Sequence, residues 1–502
     1  MNKNPEPFSD NLVFIQNWLR PALTPVLHNR DHQRRVDHLE KLDQALKACA
    51  LETKAIEFAL KNLPKGASAK QRNRCAEFAV YALRVELLRQ MLGAPGFEAF
   101  SVTLASSDLL TDFCGCRSIA GIRWTSKSSL HRASTFFTDE QLREFNTALV
   151  ECIGSAASSA KLGLSNPEDL SVCLIDSTCL QANIHFPVDW VLLRDVSVTL
   201  LKATQLIRKQ RLRNRMGQSP EHLCRSMNQL CIQMTQSRGK VGAKKARKSI
   251  LRSMKGLLKR IGRHARKHRD LLEKNYEQTE LSRTQSERII ERIDEKLEQL
   301  PQVIEQAHER IIGERKVANK DKILSVHEPD IDVIVRGKAG ALVEFGNELI
   351  LGESQGGLII DYMLYGKSAP SEGEKLKESV KRQQDLKVDF KLTTVVADRG
   401  FDGAKTTAWL ESESITSQIC PKSPQALRER LKDGAFSGLQ TRRGSTEARI
   451  AILKNHTGGR VWRAKGFAHR RLAVGWSVLE HNLMWLARTV REQQQWPPAK
   501  AA

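Results

Sequence analysis

The spacing of apolar residues changes several times along the chain. From residue 8 to about 100 it is helical: Leu39, Leu42 and Leu46, then Phe78, Tyr81, Val85 and Leu88, recur at intervals of three and four, with a break at Pro64-Lys65-Gly66. Residues 101–165 hold shorter elements. Leu109–Phe113 predicts the end of one helix, Gly115 and Gly121 predict a turn, and Thr125–Arg132 predicts a second helix with an early Ser/Thr cap. Small polar and basic side chains at the start of that helix, Lys127 and Arg132 among them, suit a helix-turn-helix contact with DNA.

At Ser171–Leu180 the pattern becomes a short β-branched run that reads as a buried strand ending on Asp176. Residues 191–317 return to helical spacing. Their last part carries the stripe Ile290, Ile293, Leu297, Leu300, Ile304, Ala307 and Ile311. Pro301 interrupts that stripe, so an antiparallel helical hairpin is expected rather than one long coiled coil. Short strands follow at 323–326, 332–335, 341–345 and 358–362, separated by Gly-containing turns, as in an antiparallel meander. A helix is expected at 372–386, and Leu392–Ala397 is a second buried strand that ends on a carboxylate, Asp398. A helix at 404–411, a short strand near 418–420 and a C-terminal helical block complete the pattern.

The expected fold class is α/β: a mixed sheet flanked by helices, with an all-α N-terminal region and a long helical insertion after the first strand. The expected regions are 1–100 (helical), 101–165 (helix-turn-helix-like), 166–190 with 318–491 (sheet core), 191–317 (basic helical insertion) and 492–502 (tail). No apolar run approaches the roughly 18 residues of a membrane span, and Met1–Pro7 lacks a secretory core. A cytoplasmic protein without a membrane partner is expected. The ten cysteines show no paired zinc spacing; Cys114-Gly115-Cys116 is too tight and has no second pair, so reduced thiols are expected.

Charge narrows the choice of partner. The net charge of +23 favours a polyanion. Between Arg238 and Arg269 the chain carries fourteen Lys/Arg and no acid, including Lys240, Lys244, Lys245, Arg247 and Lys248. A merely solvated helix face mixes both signs, so this run reads as a phosphate-contacting surface.

The two strand-borne aspartates gain meaning from a third group. Arg443, Glu447 and Lys454 are spaced by four and seven, which puts a carboxylate between two cations on one helix face. Three carboxylates converging from different elements can hold two Mg²⁺ or Mn²⁺ ions for phosphodiester chemistry. Glu480 is a rival third acid, but it lies in a mostly apolar helix better suited to packing.

These blocks, in this order, resemble the DDE transposases of bacterial insertion sequences. The resemblance spans about residues 100–490. It rests on Asp176-Ser177-Thr178 with Asn183–Pro187, on Ala397–Phe401, on Arg443/Glu447/Lys454, and on Leu479–Leu483. It implies a ribonuclease H-like core with Asp176, Asp398 and Glu447 as catalytic metal ligands for two ions, and with Arg443 and Lys454 on the DNA. It further implies cleavage at the terminal inverted repeats, joining of the 3′-OH to target DNA, and a homodimer on DNA near the nucleoid. Two departures stand out. Gln440 occupies the position where the family usually has Tyr, and the large insertion follows the first strand instead of preceding the glutamate helix. The alternatives are a catalytically silent transposase-derived DNA-binding repressor and a metal-dependent nuclease that cuts without joining.

Overall fold

A computed structural model describes residues 29–118, 121–237, 239, 241–338, 341–456 and 464–495. Arg238 and Lys240 of the basic run, and most of the 492–502 tail, lie outside the described residues. The chain divides into two compact units. The first comprises residues 1–181, 348–365 and 369–502, the second residues 182–347 and 366–368.

The first unit begins with helices α1 (Arg30–Ala48), α2 (Leu51–Lys61), α3 (Ala69–Met91), α4 (Phe97–Ala105) and α5 (Asp108–Phe113). Capping sets their starts: Asn29 accepts from Asp31 and His32 amides, and Ser68 with Gln71 forms a capping box on α3. A two-stranded ribbon, β1 (Arg117–Ser118) with β2 (Gly121–Ile122), precedes α6 (Lys127–Ser134), α7 (Asp139–Ile153) and the single turn α8 (Ala156–Ser159). Ser126 caps α6, as its sequence predicts. The link from α5 to α6 is not the tight turn of a helix-turn-helix, however. The ribbon occupies it, with Gly121 at φ +112°, and α6 packs on α3 and α4.

Strand β3 (Val172–Gln181) follows. The second unit then supplies four helices, α9 (Asp189–Lys209), α10 (Pro220–Gln236), α11 (Ala243–Asn275) and α12 (Arg283–Ile311), around an aliphatic core. α11 and α12 run antiparallel: Lys248 meets Glu314, Lys255 meets His308 and Arg269 meets Asp294. The hairpin is as expected, but Pro301 does not interrupt α12, which continues through it to Ile311. Pro301 sits on the exposed side of the helix, where the backbone bond that proline cannot make is lost from the solvent face and not from the core. Residues 323–326 form no strand. Ile323, Leu324 and Val326 are buried in an irregular segment instead, and the Ile323 amide donates to Gln306 Oε1.

Strands β4 (Asp332–Lys338), β5 (Ala341–Ser354) and β6 (Ile359–Tyr365), helix α13 (Glu372–Gln384), β7 (Thr394–Ala397), α14 (Ala404–Ser412), β8 (Thr416–Ile419), α15 (Pro424–Arg430), α16 (Gly434–His456) and α17 (Phe467–Gln495) complete the order. The sheet is mixed. Its path is β4-β5-β3-β7-β8, with β6 also on β5. β3, β7 and β8 are parallel, and β4-β5 and β5-β6 are antiparallel. One hydrophobic core joins the N-terminal helices, the sheet and α17, from Leu39 and Leu88 through Ile175 and Val395 to Trp476 and Val490. All ten cysteines are free thiols. Among the described residues, no helix is long and apolar enough to cross a membrane.

Within this core Arg84 of α3 is 1% exposed; it is ion-paired to Asp43 of α1 and Glu52 of α2, and donates to the Phe113 carbonyl at 3.0 Å. Replacing it by Met removes the buried cation that Asp43 and Glu52 share, although Asp43 keeps its pair with Lys47. Arg84→Met is expected to destabilise the protein by about 3–5 kcal/mol, read as a lowered urea midpoint. A midpoint equal to that of the unsubstituted protein would refute the packing role.

Candidate active site

The register of β3 against β7 builds the site. Val172 pairs with Thr394 and Ile175 with Ala397, so the next residue on each chain is an aspartate. Adjacent strands lie about 4.8 Å apart, which makes Asp176 and Asp398 neighbours despite their distance in sequence. Cys173, Ile175, Val395 and Ala397 are fully buried and hold the register from below. β3 does not end at Asp176, as its sequence suggested, but runs on to Gln181 while β7 stops at Ala397. Asp176 is therefore a mid-strand residue, only 8% exposed, at the point where its neighbour leaves the sheet.

Both carboxylates are fixed by local backbone. The Ser177 amide donates to Asp176 Oδ1 at 2.8 Å, and the Gly400 amide to Asp398 Oδ1 at 2.7 Å. A Cβ at Gly400 would stand 2.9 Å from Asp398 Oδ1, so the glycine of Asp398-Arg399-Gly400 permits that close approach.

Helix α16 crosses these strands and brings the third group. Arg443 Nη1 lies 3.7 Å from Asp176 Oδ2, and Lys454 Nζ donates to Thr178 Oγ1 at 2.5 Å. Glu447, one turn beyond Arg443, is exposed. Burial pushes the Asp176 carboxyl up to about 6. The Ser177 amide opposes the shift, the Asp398 charge adds to it, Arg443 opposes it, and the Glu447 charge adds again. The three acids expected from the sequence thus share one electrostatic environment. Glu480 does not join them; it is buried on α17 beside a cavity lined by Arg34, Lys41 and Arg491.

Several residues that hold this arrangement carry no signal in the sequence. Gln440 donates to the carbonyls of Ala397 (3.3 Å) and Gln418 (2.7 Å), while its Oε1 accepts from Arg443 Nε at 3.2 Å. It ties α16 to the ends of β7 and β8 and steers Arg443. Glu353 of β5, 1% exposed, is gripped by Arg442, Thr446 and Arg449 of the same helix. Ser177 also reaches Glu372 at 3.4 Å. Burial, then the hydrogen bond and charge of Glu348, push the Glu372 carboxyl up. Each is an ordinary polar residue in a polar stretch, and only tertiary contact distinguishes it.

The basic segment divides into two classes. Lys244 and Lys248 pair with Glu314, Arg247 covers the Trp190 ring at 5.1 Å, and Arg269 is held by Asp294 and Glu273. Lys245, Arg252, Lys259, Arg260, Arg263, Arg266 and Lys267 stand exposed on α11, outside those pairs. On α6, Lys127 and Arg132 are exposed, Arg132 lying 5.3 Å over Phe78.

Among the described residues no group of three His, Cys, Asp or Glu side chains is placed so that together they could hold a metal ion. The chemistry of the donors is nonetheless that of a hard divalent ion's ligands: all are oxygen, the two aspartates are held in place by backbone amides, and the charges of Asp398 and Glu447 act on the buried Asp176 carboxyl. Comparisons with protein-family models, with curated proteins and with solved structures gave no match.

Because the Asp398 charge adds to the cost of ionising the buried Asp176, Asp398→Asn is expected to melt at or above the unsubstituted protein in EDTA. Mn²⁺ at a hundred times its Kd should stabilise the unsubstituted protein by about 2.7 kcal/mol and leave Asp398→Asn unmoved. An equal Mn²⁺ upshift in both proteins removes Asp398 from the ligand set.

Proposed function

We propose that the chain is a metal-dependent DNA transposase of the DDE kind, with a ribonuclease H-like core, acting at the ends of an insertion sequence. The observation that carries this reading is the parallel register that sets Asp176 beside Asp398, with Glu447 adding to their field from a crossing helix. Asp176, Asp398 and Glu447 would hold two Mg²⁺ or Mn²⁺ ions. When bound, such ions activate an oxygen nucleophile and stabilise the charge on the leaving oxygen.

The chain's own groups orient and bind. The Ser177 and Gly400 amides keep the aspartate carboxylates aimed before substrate arrives. Arg443 balances the acidic charge and is within reach of an incoming phosphate, while Lys454, anchored on Thr178, extends the positive border of the site. Lys127 and Arg132 add exposed charge on α6. The exposed face of α11 between Lys245 and Lys267 extends about 33 Å, close to one helical turn of duplex, and suits backbone contact without base reading. Because two ends must be joined, the working form is a homodimer on DNA.

Duplexes carrying the inverted repeats that flank the gene, with Mg²⁺, test the reading. The unsubstituted protein should nick these ends and join them to a second duplex. Asp398→Ala should lose both activities and keep DNA binding. Binding with no nicking by the unsubstituted protein points to the silent repressor, and nicking with no joining points to the nuclease.

The division of the basic segment makes a separate prediction. Replacing Arg252, Lys259, Arg263 and Arg266 by Gln should flatten the dependence of log binding constant on log salt by about 0.9 for each phosphate that is no longer neutralised. Replacing Lys244 and Lys248, which already serve Glu314, should flatten it less. Equal slopes for both variants would contradict the assignment of the outward face.

A further inference from the structure

A cavity of 530 Å³ opens in the first unit and shares no residue with the candidate active site. Its walls are the α2–α3 link at Leu63 and Pro64, the first turns of α3, and residues on and either side of α6. The volume falls within the roughly 300–1,000 Å³ of small-molecule sites. Three aromatic rings line it: Phe78 of α3, Trp124 just before α6 and Phe136 just after it. Phe78 meets both of the others edge to face, with ring centroids 5.6 Å from Trp124 and 5.3 Å from Phe136. All three are half-buried: they pack against the main core and also border the cavity.

Trp124 is held by more than packing. Its φ is +60°, a left-handed conformation that bulky residues rarely adopt, and the Tyr81 hydroxyl donates to its carbonyl at 2.6 Å. Arg123, which does not line the cavity, lies 4.6 Å from the centre of the Trp124 ring and is tied to Glu77 at 3.2 Å. The indole is thus a wall set in place before any ligand arrives. Cations complete the border. Arg74 of α3 and Arg132 of α6 both line the cavity and stand exposed, Arg132 lying 5.3 Å over Phe78. Among the described residues neither is paired with an acid. From Lys61 to Ala76 the chain carries five Lys/Arg and no acid, and the next residue, Glu77, is the partner of Arg123.

A ligand for these walls needs a flat aromatic surface for the rings and negative charge for the cations. A nucleotide combines the two, whereas an acidic peptide matches the arginines and leaves the rings unused. Within a duplex each base is covered on both faces by its neighbours, so the base that enters is unpaired. We infer that the cavity holds one unpaired base of a single DNA strand, stacked on the aromatic wall, with the flanking phosphates on Arg74 and Arg132. The contact is indifferent to sequence, because every base offers an aromatic face. It gives Arg132 a task other than the duplex contact expected of a helix-turn-helix. The inference rests on DNA as the partner, as proposed above, and not on the three carboxylates.

Binding of a fluorescein-labelled oligothymidylate to the full-length protein, beside an abasic strand of equal length and a duplex, provides the test. The oligothymidylate should bind about tenfold tighter than the abasic strand, the gain from one stacked base. With 5-iododeoxyuridine in the strand, ultraviolet cross-links should map to Phe78, Trp124 or Phe136. Arg74→Gln should flatten the dependence of log binding constant on log salt for single strands by about 0.7, one phosphate's worth. Trp124→Leu should bring the oligothymidylate down to the abasic level and leave duplex affinity unchanged. The strand comparison and the cross-linking use the unsubstituted protein, so they stand even if Trp124→Leu fails to fold. Equal affinity for the two single strands, with the duplex still bound, overturns this inference and spares the DNA reading. Binding of neither strands nor duplex overturns both. Cross-links that omit all three rings, or displacement of the strand by thymidine monophosphate at equal nucleotide concentration, also overturn it.

Discussion

Everything at the candidate site depends on one four-residue stretch of parallel pairing, in which Ile175 lies opposite Ala397. A parallel ladder brings equivalent ends of two distant segments together, and the side-chain period of two leaves no tolerance for a slip. One residue of displacement would turn Asp176 or Asp398 to the other face of the sheet. Both faces of the pair are buried, Cys173, Ile175, Val395 and Ala397 on one and Leu174 and Val396 on the other, so a slip would mismatch packed side chains on each. Ending β7 at Ala397 while β3 continues gives the two carboxylates different settings: Asp176 stays within the sheet, and Asp398 turns into the loop where the Gly400 amide receives it.

A second constraint sets the helix that crosses these strands. Burying Glu353 almost completely costs solvation, which its three partners on α16 offset through charge and hydrogen bonding. All three come from one helix, so the interaction fixes both the rotation and the position of α16 on the sheet. Gln440 does the same at the other end of the contact, against β7 and β8. Between these anchors Arg443 faces Asp176 and Glu447 is left exposed.

The basic segment serves two purposes because a helix has two faces. Cations of α11 that turn toward α12 or α9 neutralise acids or cover an aromatic ring, and so help define the helical unit. The outward cations have no such role in the fold, and their repulsion is tolerated because water screens it. A count of lysines and arginines cannot separate the classes; burial and the antiparallel pairing can.

What the sequence determined by itself is substantial and local. Periodicity predicted the helices and most strands, Ser126 marked a helix start, and the β-branched runs before Asp176 and Asp398 identified the two acid-bearing strands. Glu447 drew notice because Arg443 and Lys454 are spaced to share its helix face, and α16 does carry all three. What only the tertiary structure decided depends on contacts between segments far apart in the chain. Propensity could not show that β3 continues beyond Asp176, because β5 supplies the pairing that β7 withdraws. Nor could it show that Pro301 is absorbed into α12, that Ile323–Val326 is buried without pairing, or that a ribbon separates α5 from α6. The strand register was likewise invisible, since hydrophobic alternation chooses a face but not a partner. The physical reason is the same in each case: local pattern fixes which side of an element seeks the core, and only packing decides what it meets there.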